Sequence, residues 1–376
     1  MQIYIVNTEN KEVFPISKNE TLSDVFQLLQ YDQVSGILYA SFTNMKNPLK
    51  VVFANLDLNL NTKVLSEKIE WKEVSLINNN TNIIFQIQQN IIFEQFEERL
   101  IKQGEAEGFF WKLKKFENQN IPNELKELYE NNEKINPLKY SQDNQRPLVV
   151  MVHGGPHGSS AGNFGLLRLY FLLQGYGILA PNYTGSCGYG QNFMEKLLTN
   201  IGDIDAQEIL GMIDQIIQKG LCDPKKIIII GGSYGGFMTG IMATRHAEKF
   251  LCGILMNPVV NINFNLNASD IPEWSTAECF NRKNNWNLSP EDYRRMFEIS
   301  PASQINKLPS INFIGVKDRR VPYQQSIAFH SQCLQNGCDF KTYVYPEADH
   351  SLDDCLNTVF DVLMKSILFI EGQLLK

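Results

Sequence analysis

The chain is expected to belong to the α/β class, with a doubly wound, mostly parallel sheet preceded by a smaller antiparallel β region. Three observations carry this. From Pro147 onward, apolar strand runs alternate with helical patterns, the order that builds parallel strands with helices on both faces. A β-branched run, Lys226-Ile227-Ile228-Ile229-Ile230, enters Gly231-Gly232-Ser233-Tyr234-Gly235-Gly236, and a helical pattern follows. Before residue 89 only short strands are legible.

Ile3-Tyr4-Ile5-Val6, an Asn-containing turn and Glu12-Val13-Phe14 form the first of these units. Gly36 to Phe42, Val51 to Asn55 and, after a polar turn, Lys63-Val64-Leu65-Ser66 follow. The first and last units look alike and lie about 50 residues apart, within the blade period of a β-propeller. A propeller needs about four to eight blades to close, and residues 1–88 supply about one or two. The expectation is therefore a partial propeller remnant. Its uncovered face implies either another chain that covers it or a longer parent protein. A plain antiparallel subdomain is the alternative.

Residues 89–376 form the second expected domain. A hairpin opens it, from Ile91–Phe96, Leu100-Ile101 and Gly108–Leu113. Glu117 to Arg146 is rich in Asn, Glu and Lys, with too few apolar residues to bury, and reads as a polar surface insertion at about 115–146. The strands that follow are Leu148–Val152, Gly177–Ala180, Lys226–Ile230, Leu251–Met256, Ile311–Val316 and Lys341–Tyr345. Helical patterns between and after them include Asp203–Gln218, Met238–Ala247, Pro322–Leu334 and Leu352–Leu374.

The totals narrow the function classes. The chain has 376 residues, 43% apolar and 20% charged, with a net charge of −7. No basic run stands out, so nucleic acid is not an expected partner. No signal peptide is visible at Met1–Asn7 and no apolar run reaches the length of a membrane span, so no membrane partner is expected. The seven cysteines are odd in number and scattered, which argues for free thiols in a reducing cytoplasm and against a zinc site. No cofactor is expected, and self-association is left open.

The Gly-x-Ser-x-Gly junction is the arrangement of a nucleophile elbow, in which a sharp turn exposes a serine above the sheet. The motif alone recurs by chance, so its partners decide. In α/β hydrolases the order is Ser, then an acid, then His. Of the histidines after Ser233, His246 falls at the end of the following helix and His330 inside another. His350 follows the strand Lys341–Tyr345 and the loop Pro346-Glu347-Ala348-Asp349, where a general base would sit. Asp318, directly after the strand Ile311–Val316, is the expected acid, accepting Nδ1–H of His350. Asp349 is the runner-up, and Asp339 lies at the wrong end of its strand. Two donors are needed for an oxyanion. Tyr234 N–H is one, and Gly155 N–H, in the His153-Gly154-Gly155-Pro156-His157 loop after an early strand, is the other. His153 is expected to support this loop.

His153-Gly154-Gly155-Pro156-His157, Asn182-Tyr183-Thr184-Gly185-Ser186, Gly231-Gly232-Ser233-Tyr234-Gly235-Gly236 and Asp318-Arg319-Arg320-Val321-Pro322 together resemble the prolyl oligopeptidase family of serine peptidases. Asn257–Ile262 with Ser269–Trp274 looks like its acylaminoacyl-peptidase branch. The resemblance covers about residues 91–376. It implies removal of an N-acylated, typically acetylated, residue from short peptides by Ser233, Asp318 and His350, with Arg320 binding a substrate carbonyl. The alternatives are a carboxylesterase of the same fold, or an inactive short subunit that binds a full-length partner. Thr184 departs from the family, which places Arg there. A complete propeller, which the family uses to restrict access, is not expected from the length available.

Overall fold

The computed structural model describes residues 4–6, 12–15, 25–32, 37–43, 50–56, 69–73, 96–113, 140, 143–161, 166–282, 287–353 and 355–376. Two compact units divide the chain, the larger comprising Leu100–Phe110, Tyr140–Ser160 and Gly175–Lys376.

In the smaller unit, β1 (Tyr4–Val6) pairs antiparallel with β2 (Val13–Pro15), as the first strand–turn–strand unit predicts. A second sheet contains β3 (Val25–Asp32), β4 (Ile37–Thr43), β5 (Lys50–Asn55) and β6 (Lys72–Glu73), antiparallel and in that order. Four strands is the complement of one propeller blade. Leu38, Ala40 and Val52 are buried on one face of it. β3 is not among the expected strands, because its Val-Phe-Gln-Leu-Leu-Gln-Tyr-Asp mixes adjacent apolar and polar pairs rather than alternating. The expected strand Lys63–Ser66, most of the polar insertion and residues 91–95 of the expected hairpin lie outside the described residues. The last residue of that insertion differs from expectation. Arg146 is buried and donates to Asp143 and to the Gly175 carbonyl.

An eight-stranded sheet organises the rest. In chain order its strands are β7 (Phe96–Gln103), β8 (Ala106–Leu113), β9 (Leu148–Val152), β10 (Gly177–Asn182), β11 (Ile227–Gly232), β12 (Cys252–Met256), β13 (Ser310–Gly315) and β14 (Phe340–Tyr345). Their spatial order is β14-β13-β12-β11-β9-β10-β8-β7. β9 to β14 pair parallel throughout, and β7 and β8 are the expected hairpin. The helices are α1 (Leu166–Leu173), α2 (Gln191–Glu195), α3 (Ile204–Gln218), α4 (Tyr234–Arg245), α5 (Ile262–Ala268), α6 (Glu273–Phe280), α7 (Pro290–Ile299), α8 (Gln324–Gln335) and α9 (Leu356–Leu374).

β11 is central, and Ile227 to Ile230 are all buried, as a parallel strand covered on both faces requires. α4 begins at Tyr234, four residues before the periodicity suggests, because glycines hide its first turn. Every residue from Tyr234 to Thr244 is buried, the condition of a helix enclosed on all sides. Gly235 permits this. A Cβ there would stand 2.2 Å from the Val152 carbonyl oxygen, so only glycine lets the helix start against β9.

Candidate active site

The elbow forms at the carboxyl end of β11. Ser233 adopts φ 57° and ψ −120°, a strained conformation for a residue with a side chain. It is held there by its N–H bonding the Met256 carbonyl (2.9 Å) and its carbonyl accepting from Phe237 (3.0 Å) and Val259 (3.3 Å). Tyr234 is the first residue of α4, so its N–H has no partner within the helix.

Asp318 and His350 meet, although 32 residues separate them. His350 Nδ1 lies 2.8 Å from Asp318 Oδ2. Asp318 Oδ1 accepts from the N–H groups of Arg320 and Val321, each at 2.9 Å, and its side chain is fully buried. Three bonds thus fix the carboxylate and leave it one orientation toward the imidazole. The runner-up, Asp349, instead accepts from Ser351 N–H and Oγ within its own loop. Asp339 lies before β14 and pairs with Lys376. His246 caps the far end of α4, and His330 contacts Thr342.

The His153–His157 loop passes over the serine. A Cβ placed on Gly154 would stand 3.3 Å from Ser233 Cβ and 3.8 Å from its Oγ. The end of β10 and the segment after it brace this loop and the residues that follow it. Asn182 brackets Ser160 by bonding its N–H and carbonyl, the Cys187 N–H donates to the Gly158 carbonyl, and His157 Nδ1–H donates to the Gly185 carbonyl. His153 stacks on Tyr183 at 4.4 Å, and its Nε2 bonds Ser186 Oγ at 2.8 Å. Burial drives its pKa down to about 4, so it is neutral and supports the loop rather than moving protons. Thr184 donates its N–H and Oγ1–H to the two carboxylate oxygens of Glu208, at 2.6 and 2.7 Å. That is the local bonding where the family pattern places Arg.

Gly154, Gly155, Ser233, Val259, Asn265, Ile271, Trp274, Arg320, Val321 and His350 line one cavity of about 270 Å³. Of the six residues expected at the site, the cavity collects Ser233, Gly155, Arg320 and His350. Asp318 stands behind His350, and Tyr234 contributes its backbone beneath the serine. The Tyr234 side chain points away from the cavity and donates to Asp205. Arg320 Nε bonds Asp270 Oδ1 at 2.7 Å, so it is both an ion-pair member and a cavity residue.

Three further residues that no sequence expectation places at the site help to build it. Asn257 donates its side-chain N–H groups to the carbonyls of Asp349 and His350 and accepts from Gly315 N–H, which fastens the histidine loop to β13. Trp274 donates Nε1–H to the Gly155 carbonyl at 3.0 Å. Glu278 meets His157 at 3.2 Å. Asn257 and Trp274 sit in motifs that the sequence displays, whereas nothing local marks Glu278. Among the described residues no group of three His, Cys, Asp or Glu could hold a metal ion, and no helix is long and apolar enough to cross a membrane.

Residues 163–375 match the family described as the prolyl oligopeptidase family. The chain is 34% identical over 211 residues to the acylamino-acid-releasing enzyme of Arabidopsis thaliana, covering 55% of this chain and 28% of that protein. It is 29% identical over 233 residues to the acylamino-acid-releasing enzyme of Homo sapiens, covering 61% and 32% respectively. The fold superposes on the acylaminoacyl peptidase of Pyrococcus horikoshii with a TM-score of 0.70 at 22% identity, over 98% of this chain and 52% of that one. The chain thus matches about a third or less of the length of these curated relatives.

Proposed function

Because the chain belongs to the prolyl oligopeptidase family, we propose that it is a serine hydrolase that releases N-acylated, typically N-acetylated, amino acids from short peptides through an acyl-enzyme. One observation carries the reading: a buried, triply bonded Asp318 aims His350 into the cavity where the strained Ser233 stands. In this reading His350 Nε2 removes the Ser233 proton as Oγ attacks the substrate carbonyl carbon. The tetrahedral oxyanion accepts from the N–H groups of Tyr234 and Gly155. The intermediate collapses, the C–N bond breaks, and the imidazolium returns the proton to the leaving amine. Water then repeats the sequence on the ester and frees the acylated amino acid. Asp318 keeps the His350 tautomer and stabilises the imidazolium. Arg320, whose Nε engages Asp270, donates charge-assisted hydrogen bonds to a substrate carbonyl.

The same reading treats residues 1–88 as a partial propeller and 89–376 as the catalytic domain with its insertion at 115–146. It places the protein in the cytoplasm, a location suited to seven cysteines that are all free thiols. The test is fluorophosphonate labelling of folded protein, followed by turnover of an acetyl-amino-acid anilide and of a simple aryl ester. The expected result is a label on Ser233 and hydrolysis of the anilide. Ester turnover without anilide turnover would identify a carboxylesterase. A folded chain that takes no label would be an inactive subunit.

A further inference from the structure

α6 grips the loop of the proposed oxyanion donor at two points. Trp274 and Glu278 are four residues apart, one above the other on the same helix face. Trp274 Nε1–H holds the Gly155 carbonyl, and Glu278 Oε1 meets His157 Nε2, two residues further along the loop. The protons at this second point can be counted. His157 Nδ1 faces the Gly185 carbonyl at 2.8 Å, and a carbonyl only accepts, so Nδ1 carries a hydrogen. Nε2 then meets a carboxylate oxygen. Without a second proton, two lone pairs would oppose each other. Glu278 is buried, its side chain 5% exposed, and its Oε2 has no hydrogen-bond partner among the described residues. Among them its carboxylate bonds His157 alone.

We propose that His157 and Glu278 form a latch, closed by one shared proton, that positions the Gly155 N–H over Ser233. These are positioning residues, and the inference rests on Gly155 being an oxyanion donor. The groups facing the pair are few. Among the described residues, Cys187 Sγ donates to the His157 carbonyl from the loop after β10, and the carboxylate of Glu278 acts electrostatically on Tyr183, Tyr234 and the neighbouring Cys279 thiol. The hydrogen bond to Glu278 raises the His157 pKa above the ordinary histidine value. The sign follows: the latch is fully closed below the ordinary value and opens as pH rises through the raised one.

Two measurements test this on the full chain. In the first, kcat and KM are followed from acid to alkaline pH. The wild type is expected to lose kcat on the alkaline side at constant KM. In Glu278→Gln the introduced amide N–H bonds the bare Nε2, so the alkaline loss disappears. Glu278→Ala lowers kcat by about 10- to 100-fold, less than or equal to the loss of one oxyanion donor. The second needs no turnover: the Gly155 amide resonance is followed by NMR against pH. It is expected to shift with the His157 ring resonances in the wild type and to stay still in Glu278→Gln. A Gly155 amide that ignores His157 titration, or identical alkaline limbs in wild type and Glu278→Gln, would overturn the latch. An unlabelled Ser233 with a titrating Gly155 amide would overturn the hydrolase reading and leave the latch standing.

Discussion

At the scale of single residues, the proposed chemistry makes a graded prediction. Ser233→Ala and His350→Ala each lower kcat by about 10⁶, and Asp318→Asn by about 10⁴, since the amide favours the wrong tautomer. Steady-state assays with an acetyl-amino-acid anilide check this, and a loss below about tenfold for His350→Ala would mean that another base acts. These residues were legible because each lies at or within a few residues of the carboxyl end of a strand that its own apolar pattern announces. Asn257 was not legible as a support. Its three hydrogen bonds reach Gly315, Asp349 and His350, and only the folded sheet brings these together. Its φ of 41° suits asparagine better than most side chains. Asn257→Ala should lower kcat by about 10- to 100-fold with little change in KM, because the base loses its placement rather than its identity. Restoration by a conservative change elsewhere in the loop is not expected.

Among the elements, β11 and α4 show how closely sequence and packing agree. The isoleucine run forms the central strand, and the glycines after the serine let α4 start in contact with β9. Gly235→Ala would drive a Cβ into the Val152 carbonyl and should destabilise by about 3 kcal/mol or more, measured by urea unfolding. β13 carries the opposite case. Asn312 is fully buried, and among the described residues neither of its side-chain polar atoms has a hydrogen-bond partner. Leaving both unbonded is costly, so Asn312→Leu should stabilise the protein by about 1 to 2 kcal/mol. A lower unfolding midpoint in that variant would show that the amide is satisfied. Strand periodicity located β13 but could not tell that its one amide would be stranded inside, since burial depends on what covers the strand.

For the whole molecule, a buried carboxyl and a half-buried imidazole set opposing dependences of stability on pH. Burial raises the Asp205 pKa from 3.8 to about 6, so its neutral form is favoured in the fold and stability falls as pH rises through that window. Burial lowers the His153 pKa from 6.5 to about 4, so stability falls as pH drops through nearly the same window. Each is of order 3 kcal/mol, and in the wild type they largely offset. Asp205→Asn should therefore leave a protein that gains stability from pH 4 to 7, and His153→Gln one that loses it, as read from urea midpoints across that range. Parallel wild-type and variant curves would refute the assignment. The sequence by itself determined the α/β class, the order of the late strands, the elbow at Ser233 and the placing of Asp318 and His350, because these follow from local periodicity and from which residue ends a strand. Tertiary structure alone decided which groups support them. Asn257, Trp274, Glu278 and Asp205 act across gaps of about 30 to 120 residues, and their bonding depends on burial and neighbours that no local pattern encodes.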